Sequence, residues 1–404
     1  MNLVQAQLLN DNSPIDEVSV RAYRQLRIRS LLSEHDIPAA VFFDPVNIRY
    51  VTGTRNMQVW TMHNFCRYVY IAASGPCILF EVPSTAHLAG GFETVDEVRP
   101  GWSADYMVVA DRMEEIARIF ADEVSDLVRS HGAGNHRLAI DRLDPALAQA
   151  LGLAGLEVVD SKGIAERARS IKSNEEIRAF VHSLRSCEQA VHTLRAQLAP
   201  GMTEADALSI LIGESIKGGG EYPETRLMTS GPRTNPWFQE TSLRPMEAGD
   251  FIAFDTDLIG PMGFYNDISR TWVVGEDKPS DDQRRLYATS RAQLETNIEL
   301  LRVGEHFLDF SSRAYQLPER YLENRYADVG HGCGLGVEYP FLWYPEDAKY
   351  GAYDGVFEEN MIVCIESYVG AKGGTQGVKL EQPVWLTNDG PVLLSEYPLE
   401  DDYA

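Results

Sequence analysis

Residues 18–34 repeat apolar positions at helical spacing and predict an amphipathic helix. Ala39-Ala40-Val41-Phe42-Phe43 is an unbroken apolar run of strand length. Residues 68–72 and 76–80 flank Ser74-Gly75 and predict a strand pair about a turn. Helical spacing returns at 113–130 and closes at Gly132 and Gly134, and 137–141 and 156–159 predict short strands. This pattern describes a small α/β domain ending near residue 170. The charged stretch 167–176 follows, where Ser173 or Asn174 is placed to cap a long helix reaching about Leu198. The expected division is therefore 1–172 and 173–404.

A second helix is expected from Thr203, with Asp206 three residues on and Gly218-Gly219-Gly220 as its stop. Strand signals then dominate at 226–230, 250–258, 267–274, 361–367 and 377–386, with helices at 281–301 and 308–317 between them. Strands in blocks with helices in pairs predict an α+β domain rather than a doubly wound sheet.

Acidic residues interrupt these apolar runs. Asp255 and Asp257 stand two apart at the end of one run, and strand alternation would point both to one face. Gly260-Pro261 and Gly263 turn the chain, and Asp267 opens the returning strand. Three carboxylates converging from apolar strands are costly unless a cation neutralises them. His331 lies in Gly330-His331-Gly332-Cys333-Gly334-Leu335-Gly336, where alternate glycines let another group approach the backbone. Glu366 sits inside the apolar run Met361-Ile362-Val363-Cys364-Ile365, and a buried glutamate needs a partner. Glu381 ends Gly377-Val378-Lys379-Leu380-Glu381, the next strand. Oxygen-rich ligation with one imidazole suits Mn, Fe, Co or Zn in a two-metal site.

Composition narrows the setting. The chain has 404 residues, of which 44% are hydrophobic, enough for two domains with real cores. A net charge of -24 argues against nucleic acid as a partner and weakly favours cationic ligands. No apolar run is long enough for a membrane span, and residues 1–17 carry no basic stretch followed by an apolar one. Five cysteines without metal-ligand spacing read as reduced thiols, so the expected location is the cytoplasm. Cys333 and Cys364 read as small buried core residues.

The order Asp, Asp, His, Glu, Glu resembles the creatinase/prolidase/methionine aminopeptidase family. Asp44-Pro45-Val46-Asn47-Ile48-Arg49-Tyr50-Val51-Thr52-Gly53 looks like that family's N-terminal signature strand and turn. Ser230-Gly231-Pro232, Asp267-Ile268-Ser269-Arg270-Thr271, His331-Gly332-Cys333-Gly334-Leu335 and Gly377-Val378-Lys379-Leu380-Glu381 look like its C-terminal motifs. The resemblance implies an α+β pita-bread catalytic domain preceded by a smaller creatinase-type α/β domain. It implies Asp257, Asp267, His331, Glu366 and Glu381 as metal ligands, with Asp255 as an added neighbour. It also implies a homodimer in which residues 56–60 approach the partner's metals.

Two departures from the family's peptidases stand out. Pro236 is followed by Trp237 where peptidases keep a histidine. The run Gly336-Val337-Glu338-Tyr339-Pro340 is one residue short and lacks a second histidine. Those histidines serve amide hydrolysis by orienting the carbonyl and stabilising the tetrahedral intermediate. Longer segments, Glu224-Thr225-Arg226-Leu227, residues 230–240, residues 253–260 and Asn56-Met57-Gln58-Val59-Trp60, resemble the creatinase-fold dimethylsulfoniopropionate lyases. Those enzymes carry an aspartate proposed as general base where this chain has Val337, which leaves Glu338 or a metal-bound carboxylate such as Asp255 for that role. Trp60, Trp237 and Tyr326 are candidates to wall a cationic head through cation–π contact, or else are core aromatics.

The implied reaction is β-elimination from a small zwitterion, dimethylsulfoniopropionate to dimethyl sulfide and acrylate or a related betaine. The alternatives are hydrolysis of an Xaa-Pro peptide or guanidino C–N bond by a metal-bridging hydroxide, and a binding module without activity. The resemblance implies two divalent ions, iron first, with Mn, Zn or Co as alternatives. The expected partners are a small molecule and a second copy of the chain, with neither nucleic acid nor membrane.

Overall fold

The computed structural model describes residues 2–403. Asp16–Arg169 forms one compact unit, and the chain up to Ile15 and from Ser170 forms the other. The sequence reading kept the first fifteen residues with the N-terminal domain. They pack instead on the C-terminal unit, where Gln5 Nε2 donates to Thr387 Oγ1 at 3.0 Å and Arg178 donates to the Ser13 carbonyl at 2.8 Å.

In the N-terminal unit, Ala39–Phe42 is the hub of a six-stranded sheet. It pairs antiparallel with Tyr68–Ala72 and parallel with Arg137–Ile140. The amphipathic helix Met113–His131 buries Phe120, Val124 and Val128 in this unit's core. Residues 44–53 are not a strand and turn. Asp44 caps the helix Pro45–Thr52, Pro45 supplies a preset first position, and Gly53 ends it at φ 77°.

In the C-terminal unit, Ser173 caps the helix Asn174–Gln197, with Glu176 closing a capping box. Thr203 and Asp206 do the same for Glu204–Lys217. A five-stranded antiparallel sheet runs in the order Val337–Trp343, Asp328–Cys333, Ile362–Gly370, Gly377–Thr387, Gly390–Leu393. A second sheet pairs Ser269–Val273 with Phe251–Asp255, and that strand with Met228–Ser230. Asp328–Cys333 and Val337–Trp343 were not expected as strands, and in the first of them glycines hide the apolar period. Their role is steric: a Cβ at Gly330 would run into the Cys364 carbonyl of the next strand. Gly330 and Gly332 therefore admit neighbouring backbones, and Gly334 admits the Glu338 side chain.

Strand alternation then divides the five-stranded sheet into two faces. Val363, Ile365, Val369, Val378 and Leu380 join Leu286 and Leu294 of the helix Asp281–Leu300 in the core. Glu366, Lys379 and Glu381 are turned the other way. No helix among the described residues is long and apolar enough to cross a membrane.

Candidate metal centre

The opposite face gathers the chemistry. Glu366 lies directly across from Glu381, and Tyr368 across from Lys379. His331 lies across from Cys364, two residues before Glu366. Asp255 comes from the other sheet, where it ends its strand opposite Ser269, and Asp267 lies in the short link that leads into the Ser269–Val273 strand. Ligand atoms of Asp255, Asp267 and Glu381 lie within 4.8 Å of one another, as do those of His331, Glu366 and Glu381 and those of Asp267, His331 and Cys364. Every one of these residues is buried.

His331 Nδ1 donates to the Gly332 carbonyl at 3.0 Å, which turns Nε2 toward the carboxylates. Nε2 stands 3.5 Å from Asp267 Oδ2, 3.5 Å from Glu366 Oε1 and 3.8 Å from Glu381 Oε1. Asp255 Oδ1, Asp267 Oδ1 and Glu381 Oε1 are buried without a hydrogen-bond partner. Burial, and then the charges of neighbouring carboxylates, push Asp267 and Glu381 well above the usual carboxylate range. Orphaned anionic oxygens around one imidazole fit a pair of divalent cations. The Cys364 thiol points at the Asp267 carbonyl, 3.9 Å away.

Asp257 stands apart from Asp255. The strand ends at Asp255, and Asp257 has φ 42°, so alternation does not place the two on one strand face. The hydroxyls of Tyr265 and Thr225 both donate to Asp257. Burial and then the charge of Asp255 push Asp257 up to about 7. It is Asp255 that shares a ligand group with Asp267 and Glu381.

The other expected site residues separate. Glu338 is buried in a 2.7 Å ion pair with Lys172. Val337 is half-exposed. Trp237 is buried against Tyr368, and the Tyr326 ring packs tilted on Phe238 at 5.0 Å. The ring faces of Tyr326 and Trp237 lie 5.0 and 5.9 Å from Lys379 Nζ, so these two aromatics already wall a cation of the protein itself. Trp60 is exposed on the helix Gln58–His63 of the N-terminal unit.

The supporting residues were missed as site residues, although their motif was in view. Ser269 donates to Glu381 Oε2 at 3.0 Å. Arg270 is fully buried and donates to the carbonyls of Glu381, Tyr397 and Pro398, which ties the site to the segment carrying Tyr397 and Pro398. Thr271 and Lys379 exchange two bonds, at 2.9 and 3.0 Å, that dock one sheet on the other. A lysine inside a strand that otherwise reads as core was the available signal.

Fold and site together define a metal-dependent enzyme of the pita-bread class. Residues 179–388 match the profile Metallopeptidase family M24, and residues 24–171 match Creatinase/Prolidase N-terminal domain. The chain belongs to the creatinase/prolidase family. It is 37% identical over 386 residues to the dimethylsulfoniopropionate lyase DddP of Roseovarius nubinhibens, covering 94% of this chain and 86% of that one. The enzyme of the same name from Roseobacter denitrificans is 36% identical over 392 residues, covering 95% and 87%. An Xaa-Pro dipeptidase structure from Bacillus anthracis superposes with a TM-score of 0.74 at 22% identity, over 94% of this chain and 99% of that one, and so shares the fold.

Proposed function

We propose that this protein is a lyase that removes an onium group from a small zwitterionic carboxylate by β-elimination, with dimethylsulfoniopropionate or a related betaine as substrate. The observation that carries this reading is the 37% identity to a dimethylsulfoniopropionate lyase along 94% of the chain, together with the buried ligand groups formed by Asp255, Asp267, His331, Glu366 and Glu381. Buried Trp237 and the Val337-Glu338 pair stand where, by the resemblance, a peptidase keeps its histidines, which supports elimination over hydrolysis.

Asp255, Asp267, His331, Glu366 and Glu381 would hold two divalent ions, with Asp257 beside them. When bound, the ions supply Lewis-acid polarisation of the substrate carboxylate, which acidifies the adjacent C–H. Iron is our first choice of metal, by likeness to the lyases. A carboxylate of this chain takes the proton from the carbon beside the carboxylate. The C–H electrons form the new double bond, and the onium leaves with its bonding pair as a neutral molecule. Glu338 is paired with Lys172 and belongs to none of the ligand groups, whereas Asp255 lies in one of them, so Asp255 is the better placed acceptor. Tyr326 and Phe238 would receive the onium on the solvent side, because Phe238 is 66% exposed and its ring lies against Tyr326. We further propose a homodimer in which Trp60 of one copy approaches the other copy's centre.

The test is incubation of the metal-loaded protein with dimethylsulfoniopropionate, related betaines and Xaa-Pro dipeptides. Dimethyl sulfide is followed by gas chromatography and acrylate by liquid chromatography. Dipeptide cleavage without elimination from any onium substrate overturns the proposal.

A further inference from the structure

Lys379 stands two residues before Glu381 on a strand that is buried along its whole length. Its Nζ donates to Asp255 Oδ2 at 3.0 Å, Glu366 Oε2 at 2.5 Å, Glu381 Oε2 at 3.1 Å and Ser269 Oγ at 2.8 Å. An ammonium has three hydrogens, so four acceptors leave none of them idle. Tyr326 and Trp237 cover it with their ring faces. Among the described residues, no other lysine or arginine forms an ion pair with the cluster carboxylates.

The oxygens that Lys379 leaves alone turn the other way. Glu366 Oε1 and Glu381 Oε1 face His331 Nε2. Asp255 Oδ1 and Glu381 Oε1 have no hydrogen-bond partner. Asp267 is the one carboxylate of these ligand groups that Lys379 does not touch. Each of the other three is split, with one oxygen held by the ammonium and one presented to the cluster.

We propose that Lys379 is the internal counter-ion and positioning residue of the metal centre: it keeps the cluster assembled without metal and leaves Asp255, Glu366 and Glu381 one metal-facing oxygen each. The inference rests on the two-metal reading of the site and is independent of the elimination reaction. Charge supports it. With Asp255, Asp257, Asp267, Glu366 and Glu381 all ionised, one ammonium reduces five negative charges to four, which two divalent ions neutralise. Removing one partner from a buried ion pair leaves an uncompensated charge and is strongly destabilising. Bound metal supplies that compensation in place of Lys379. Loss of the ammonium therefore harms the metal-free protein more than the loaded one, whereas a residue that only fills space would harm both alike.

The experiment uses the full chain produced with Mn(II) in the medium, as wild type, Lys379→Met and Lys379→Arg. Each is melted before and after chelator treatment, and manganese is counted by mass spectrometry. For Lys379→Met we expect the metal-free melting temperature to fall by about 10 °C and the loaded one by less than half as much. Lys379→Arg restores most of the metal-free loss. Should Lys379→Met not survive stripping, chelator titration replaces the melt, and unfolding at lower chelator than wild type is the supporting result. Equal losses in both states, no loss in either, or unchanged chelator resistance overturn the proposal. Wild type that neither retains manganese nor gains stability from it defeats the metal reading itself, separately from the role of Lys379.

Discussion

Lys172 and Glu338 form a 2.7 Å ion pair in which both side chains are buried, 2% and 0% exposed. It joins the residue before the Ser173 cap to the strand that follows the glycine-rich His331 segment. Breaking such a pair costs about 3–5 kcal/mol, while replacing both partners by apolar groups is often neutral. Glu338→Gln and Lys172→Met are therefore expected to lower stability in denaturant unfolding by amounts of that order. The double variant Lys172→Met, Glu338→Leu should recover most of the loss. If Glu338→Gln removes elimination activity while stability is unchanged, Glu338 is the base and the structural role is wrong.

The two aspartates near the strand end should differ in effect. Asp255 shares a ligand group with Asp267 and Glu381, whereas Asp257 is held by the Tyr265 and Thr225 hydroxyls. Asp267→Ala and Asp255→Asn are expected to reduce bound metal and to lower activity by at least about 100-fold. Asp257→Asn should retain more metal, with a loss nearer the roughly 10-fold end of the range for supporting residues. Metal content per chain, measured by mass spectrometry, decides the order. Greater metal loss from Asp257→Asn would make Asp257 the ligand.

Stability should depend on pH in a direction set by the centre. In the metal-free protein Asp257 and Asp328 are both pushed up to about 7, by burial first and then by Asp255 and Glu366 respectively. A carboxyl raised in this way holds its proton better folded than unfolded. Its contribution is full below about pH 4 and lost as pH rises through 7. Burial alone would lower His331, but the Glu366 hydrogen bond and the Glu381 charge prevail and raise it to about 10. Its contribution is likewise full below about pH 6.5 and lost toward 10. Asp255 runs the other way: burial would raise it, but the Lys379 charge and the hydrogen bonds of Asp267, Lys379 and Ser269 together lower it, so its contribution fades on acidification below the usual carboxylate value. The chelated protein should therefore melt lower at about pH 8 than at about pH 5. Metal must displace the protons of His331, Asp267 and Glu381, so Mn(II) affinity should rise over the same interval with proton release to solvent. Calorimetry in buffers of different ionisation enthalpy measures that release. A chelated protein that gains stability from pH 5 to 8 contradicts this account.

Val337→Asp tests the missing base. The side chain is 47% exposed, so a carboxylate there costs little to introduce. General-base help is worth roughly 100-fold to 10,000-fold in rate. A rise in kcat toward that range on dimethylsulfoniopropionate would mark a lyase scaffold adapted to another onium. No change would leave the proton with a carboxylate already in the centre.

What the sequence determined by itself was mostly local. Ser173 and Glu176, or Thr203 and Asp206, close capping boxes within three residues, so the helix starts were legible with no knowledge of the fold. The buried strands that carry Glu366 and Glu381 were legible too, because an apolar run with one carboxylate inside it demands a partner wherever it folds. The carboxylate and histidine order also led to the family. Tertiary structure decided which atoms meet. Asp255 and Asp257 look equivalent along the chain, yet a left-handed backbone at Asp257 and hydroxyls from Thr225 and Tyr265 separate them. Asp328–Cys333 reads only as a glycine run open to close approach until its neighbours show it to be a strand paired on both sides. Lys379 reads as one more charge in a motif, and only the pairing of its strand with the Glu366 strand and the docking of the Ser269 strand surround it with carboxylates. Caps and periods are set by residues a few positions apart, whereas the partner of a buried charge lies on a distant strand. That choice is made when desolvation forces unlike charges together, and linear spacing carries no record of it.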